Sequence, residues 1–118
     1  MQGESTVARR VASGIDRGVH LHTDDFGRAI VSGSIPPYLP AADDQNHTVM
    51  DVIAAAPYGC ARGGFAAIVD GVIGPWMLLH FRPWRDMYPE TPVHYIVLRP
   101  DGDTTLARAH DPAPQAAP

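Results

Sequence analysis

The 118-residue chain contains no lysine; all nine of its basic residues are arginine. Schiff-base chemistry, a catalytic lysine amine and a lysine gripping phosphate in a glycine-rich loop are therefore excluded. There is a single cysteine, Cys60, so no internal disulfide can form, and a reducing cytoplasm is the expected compartment. Long apolar runs are also missing. None nears the roughly 20 residues of a membrane span, and the opening MQGESTVARR lacks the apolar core of a signal peptide. Positive charge is scarce, with a formal net charge of −4. That argues against a nucleic-acid partner, which would need a basic face.

What is present is enough for one domain with a core: 45% of residues are hydrophobic. Twelve prolines and eleven glycines call for many turns. The segment 5–17 reads as a helix, with Val7, Val11 and Ile15 at four-residue spacing and Ala8 and Ala12 beside them. Residues 19–22 (VHLH) alternate as a strand and run into TDDFG and a short helix to about Val31. Residues 32–46 hold three prolines without periodicity and read as a long loop.

From 47 to 62 the period is helical, with Val49, Val52, Ile53, Ala56 and Cys60 on the expected buried face and Asn46 as the cap. Pro57 is expected to kink or end that helix. Residues 65–70 (FAAIVD) and 93–98 (VHYIVL) read as strands buried on both faces. Between them, Trp76 to Met87 reads as a helix interrupted by Pro83, while 103–109 reads as one or two helical turns. Strands alternating with helices imply an α/β fold with a parallel sheet, whose C-terminal strand ends share the edge where ligands bind.

Asp24 and Asp25 follow the first strand and Asp70 ends the second, which brings carboxylates to that edge. There they could hold a hydrated Mg²⁺ or take a proton from a substrate hydroxyl. A purely local reading is the commoner one for such residues: Asp24-Asp25 cap a turn and Asp70 caps the next helix. His20, His22 and Asp24 share one strand face, a spacing compatible with zinc or iron, although no fourth ligand is evident. Gly71 and Gly74 in DGVIGPW are expected to let the chain turn sharply after the strand. Cys60 is expected in the core. Trp76, Phe81, Trp84 and Tyr88 either line a pocket for a planar molecule or pack the sheet.

The blocks GESTVARRVA, VHLHTDDFGRAIVSGSIPPYLPAADDQN, GGFAAIVDGVIGPW and PVHYIVLRPDGDTTLARA resemble small P-loop kinases. The similarity is to bacterial AAA-type kinase-like proteins related to chloramphenicol phosphotransferase and gluconate kinase, and it spans residues 3–112. HTDDF, VDGVIGPW and VLRPDGDTTLARA carry it most specifically. The resemblance implies a three-layer parallel sheet and ATP-dependent phosphoryl transfer to a small hydroxylated molecule held under the 32–46 loop. Asp24, with Asp25 beside it, would be the base and Arg108 the lid arginine. Gly3, Ser5 and Thr6 would bind the nucleotide phosphates. Mg²⁺ would sit between the Ser5 or Thr6 hydroxyl and Asp70, the Walker B-like carboxylate.

Departures from the family pattern set the expectation for activity. In GEST, Glu4 stands where the family has the motif lysine of GKST. An anion beside polyphosphate is repulsive by on the order of 1–4 kcal/mol. The sequence begins two residues before Gly3, so the family's central first strand and its last strand are absent from it. The domain is accordingly expected to be an incomplete kinase-like unit over 1–110, with a disordered Pro/Ala-rich tail at 111–118. Its ATP-dependent phosphotransfer is expected to be weak or lost. The alternative is a non-catalytic module whose open strand edges pair with a second copy or a partner chain. HTDDFG also resembles the metal-bearing motif of YdjC-like carbohydrate deacetylases, a third reading.

Overall fold

A computed structural model describes residues 2–98 and 104–108. Its elements run α1 (Gln2–Ser13), β1 (Gly18–His22), α2 (Thr23–Arg28), a 3-10 turn (Pro40–Ala42), α3 (Asp43–Arg62), β2 (Ala66–Asp70), α4 (Pro75–Leu78), a 3-10 turn (Leu79–Phe81), α5 (Arg82–Met87), β3 (His94–Leu98) and β4 (Thr104–Arg108). The fold is mixed α/β. It divides into two compact units, Met1–Phe81 and Arg82–Pro118.

The first unit is built on a parallel pair. β1 and β2 run in register from Gly18↔Ala66 to His22↔Asp70, and Ala66 N–H extends the ladder by donating to the Arg17 carbonyl at 2.8 Å. α1 and α3 pack against this pair. α1 buries its alanines, Ala8 and Ala12, and leaves Val7 and Val11 exposed. The apolar face expected on valines is thus turned toward the small residues. Gly18 explains the rotation, because a Cβ there would overlap the Ala12 carbonyl. Helix and strand approach so closely that only small side chains fit between them.

α3 is similarly rotated. Its buried residues are Met50, Ile53, Ala54 and Tyr58; Val52 is exposed, and Cys60 is half-buried rather than in the core. The helix starts at Asp43, four residues before the expected start. Asp43 and Asp44 in its first turn complement the helix dipole. Asn46 is not the cap; its Nδ2 donates to the Pro37 carbonyl at 2.9 Å. Pro57 does not end the helix, which continues to Arg62. The 32–46 loop is shorter than read. Its remaining part is held by Gln45, which accepts from Ile35 N–H at 2.9 Å and donates to the Ile35 carbonyl at 2.8 Å.

β2 is not buried on both faces: Ala66 is exposed and Ala67 to Asp70 are half-buried. With one strand partner and helices packed around it, the pair is partly open to solvent. After β2 the chain turns at Gly71, whose φ of +142° favours glycine and whose Cβ would collide with the Thr23 side chain. Gly74 has no such need; it precedes α4 with φ −85°.

In the second unit, Pro83 sits in the first turn of α5 and does not interrupt it, because N–H groups there need no helical partner. Trp84 and Tyr88 stack at 6.4 Å. The helical turns expected over 103–109 are replaced by β4, which pairs antiparallel with β3 from His94↔Arg108 to Leu98↔Thr104. The strands therefore form one parallel and one antiparallel pair among the described residues, rather than a single parallel sheet. β3 is not a buried strand, since Ile96 is 54% and Val97 41% exposed. A strand with a single strand partner is poorly covered by it. The 111–118 tail lies outside the described residues.

Candidate functional site

The β1/β2 register sets the geometry at the C-terminal edge. Partner residues of a parallel pair point to one face, so His20 and His22 of β1 share a face with Ile68 and Asp70 of β2. Asp70 is the hub. His20 Nε2 donates to Asp70 Oδ1 at 2.5 Å and His22 Nδ1 donates to Asp70 Oδ2 at 3.1 Å. The Asp70 side chain is 9% exposed, and the two histidines are 15% and 18% exposed. A carboxylate this sheltered needs partners for its lone pairs, and the imidazoles supply them.

The second ring nitrogen of His22, Nε2, lies 3.3 Å from Asp24 Oδ2. His22 therefore links a half-buried carboxylate to an exposed one, and the two contacts are complete together only when the ring carries both protons. Asp24 opens α2, while Asp25 is turned away and pairs with Arg28 at 2.6 Å on the surface. Such an exposed pair contributes little to stability.

Asp24 and Asp70 are thus brought to one edge and joined through His22, whereas Asp25 is not drawn into the cluster. Gly3, Ser5 and Thr6 all lie within the first turns of α1. Arg108 ends β4 in the second unit. Among the described residues no group of three or more His, Cys, Asp or Glu is arranged to hold a metal ion. Mg²⁺ at Asp70 fits poorly in this arrangement, since both of its oxygens are committed to imidazoles, and imidazole is itself a weak ligand for that ion.

Next to Asp24 and Asp25, an apolar groove of about 380 Å³ runs between α2 and α3. It is lined by Phe26, Ala29, Ile30, Val49 and Val52 with Gln45 and Thr48. The Asp70–histidine hub was missed in the sequence, although the alternation His20-x-His22 on a strand was the available signal. A second polar cluster was missed as well. His47 and Asp51 of α3 meet His80 of the second 3-10 turn, against the Trp76 ring. The four-residue spacing of His47 and Asp51 puts them on one helix face.

No protein-family profile matches the chain, and no curated protein matches it.

Proposed function

We propose that the chain is of P-loop small-molecule kinase descent, with ATP-dependent phosphotransfer weak or lost. The supporting observation is the β1–β2 pair. The strands preceding Asp24 and ending in Asp70 are adjacent, parallel and in register. That is the adjacency the family's second and third strands would have, with both carboxylates at one edge. In this reading Asp24 is the base toward a small hydroxylated acceptor, seated in the apolar groove beside α2. Asp25 is its neighbour, Arg108 the lid arginine, and Gly3, Ser5 and Thr6 the remains of the phosphate loop.

Two features argue that transfer is weak or lost. Glu4 puts a negative charge where a triphosphate would lie. Asp70, the proposed Mg²⁺ carboxylate, already has a histidine on each oxygen. The residues around Asp70 therefore do not suit Mg²⁺.

A second reading, a non-catalytic module that pairs with a second copy or another chain, draws support from β3. Ile96 and Val97 are exposed on a strand whose only strand partner among the described residues is β4. Incubating the chain with γ-labelled ATP, Mg²⁺ and a panel of small alcohols separates the two. Label transfer above background that Asp24→Asn removes supports residual kinase chemistry. No transfer, with a dimer on gel filtration that Val97→Glu dissolves, supports the module instead. Transfer that Asp24→Asn leaves unchanged refutes the assigned base.

A further inference from the structure

A separate cluster on the first unit, apart from the Asp70 edge, brings two imidazole rings into contact. His80 Nδ1 and Asp51 Oδ1 are 2.6 Å apart. Asp51 is an exposed carboxylate and can only accept, so the ring proton of a neutral His80 sits on Nδ1. Its other nitrogen, Nε2, then presents a lone pair to His47 Nδ1 at 3.0 Å. His47 in turn has its Nε2 3.8 Å from Asp43 Oδ1. Both rings lie against Trp76, with centroids 4.9 Å (His47) and 5.8 Å (His80) from the indole. His47 is half exposed, so the pair opens to solvent.

We propose that His47 and His80 bind a divalent transition-metal ion, Cu²⁺ or Ni²⁺, in place of the proton they share. Imidazole nitrogen is a preferred donor for these ions. The spacing selects among geometries. Two nitrogens 3.0 Å apart, each about 2.05 Å from one ion, subtend about 94° at it. That matches adjacent positions of a square-planar or octahedral ion. Nitrogen sites bind Cu²⁺ more tightly than Zn²⁺, so Cu²⁺ is the favoured ion. Water fills the remaining positions, consistent with a site of only two protein ligands.

The protons balance without an added base. On metal entry His47 gives up the Nδ1 proton and takes one at Nε2, facing Asp43. His80 keeps its Nδ1 proton on Asp51. Asp51 is thus a positioning residue, holding the His80 ring in the tautomer and orientation that point Nε2 outward. This site is independent of the phosphotransfer reading, which it neither requires nor supports.

Trp76 supplies the probe. In a Trp84→Phe background it is the sole tryptophan, and Cu²⁺ bound within one ring contact quenches it. The experiment titrates CuCl₂ into this variant in a non-coordinating buffer. Saturable one-to-one quenching is expected, with two-nitrogen hyperfine structure in the Cu²⁺ electron paramagnetic resonance spectrum. His47→Gln and His80→Gln should each weaken the apparent affinity at least tenfold, and Asp51→Asn by about tenfold or more. His20→Gln/His22→Gln should leave it unchanged, and Zn²⁺ should bind more weakly than Cu²⁺. The proposal is overturned by the absence of saturable quenching, by quenching that survives in both His47→Gln and His80→Gln, or by quenching lost with His20→Gln/His22→Gln. Circular dichroism on each variant separates lost binding from lost fold. If His80→Gln unfolds, the exposed His47→Gln decides.

Discussion

Replacing Asp70 by Asn keeps the shape of the side chain and removes its charge. In the wild type each carboxylate oxygen accepts from one imidazole, at 2.5 and 3.1 Å, among side chains that are all less than a fifth exposed. Hydrogen bonds to charged groups in such settings contribute about 1.5–3 kcal/mol each. Asparagine can satisfy one histidine through its carbonyl, as a neutral and weaker acceptor. Its amide nitrogen then faces the N–H of the other. The expected loss is about 3 kcal/mol, roughly one charge-assisted bond and half of the second. For a unit of this size that lowers Tm by roughly 12–24 °C.

Urea unfolding followed by near-ultraviolet circular dichroism measures the loss, and a double-mutant cycle with His20→Gln apportions it. Because His20 and Asp70 are in direct contact, the two substitutions should couple by about 1–2 kcal/mol. A loss below 1 kcal/mol for Asp70→Asn, or strict additivity with His20→Gln, would refute the argument that the histidines hold Asp70 in place.

Gly71→Ala forces a side chain into left-handed backbone at φ +142° and into the Thr23 side chain. It should cost about 2–4 kcal/mol, part of it recovered by adding Thr23→Ala, as thermal melts of the single and double variants would show. Pro57→Ala restores an N–H inside α3; it should add about 2 kcal/mol of stability, read as a higher urea midpoint with an unchanged m-value. Gln45→Ala removes both bonds to the Ile35 backbone. It should cost about 2 kcal/mol and speed limited proteolysis within 31–39.

Much of the first unit was legible because its signals are local. The alternation VHLH and the apolar run before Gly71 mark β1 and β2 within a residue of their observed bounds. What the sequence could not show is how closely elements approach. The buried face of α1 turns toward its alanines because Gly18 lets that helix sit close on the strand, a distance no periodicity encodes. β4 was misread because Leu106, Ala107 and the arginine fit a helical turn. Thr104 and Thr105 favour a strand, and Pro100-Asp101-Gly102 before them is hairpin-turn chemistry. Long-range pairing with β3 decided the outcome. Asp24 and Asp70 were identified as edge carboxylates from strand order alone. The histidines binding Asp70 lie some 50 residues away in sequence, and only the strand register brings them to it.

The central claim, kinase descent with a defective phosphate loop, is tested most directly by thermal melts of two chains, the wild type and a Glu4→Lys chain repaired with a family-type first strand and glycine loop ahead of Gly3, each with and without millimolar Mg-ATP. A ligand that binds only the folded state raises Tm by mass action. The account predicts a wild-type melt indifferent to nucleotide and a repaired-chain melt that rises by several degrees. A wild-type rise of the same size would contradict the claim that Glu4 disables the loop. A repaired-chain melt that stays unmoved would contradict the kinase descent itself.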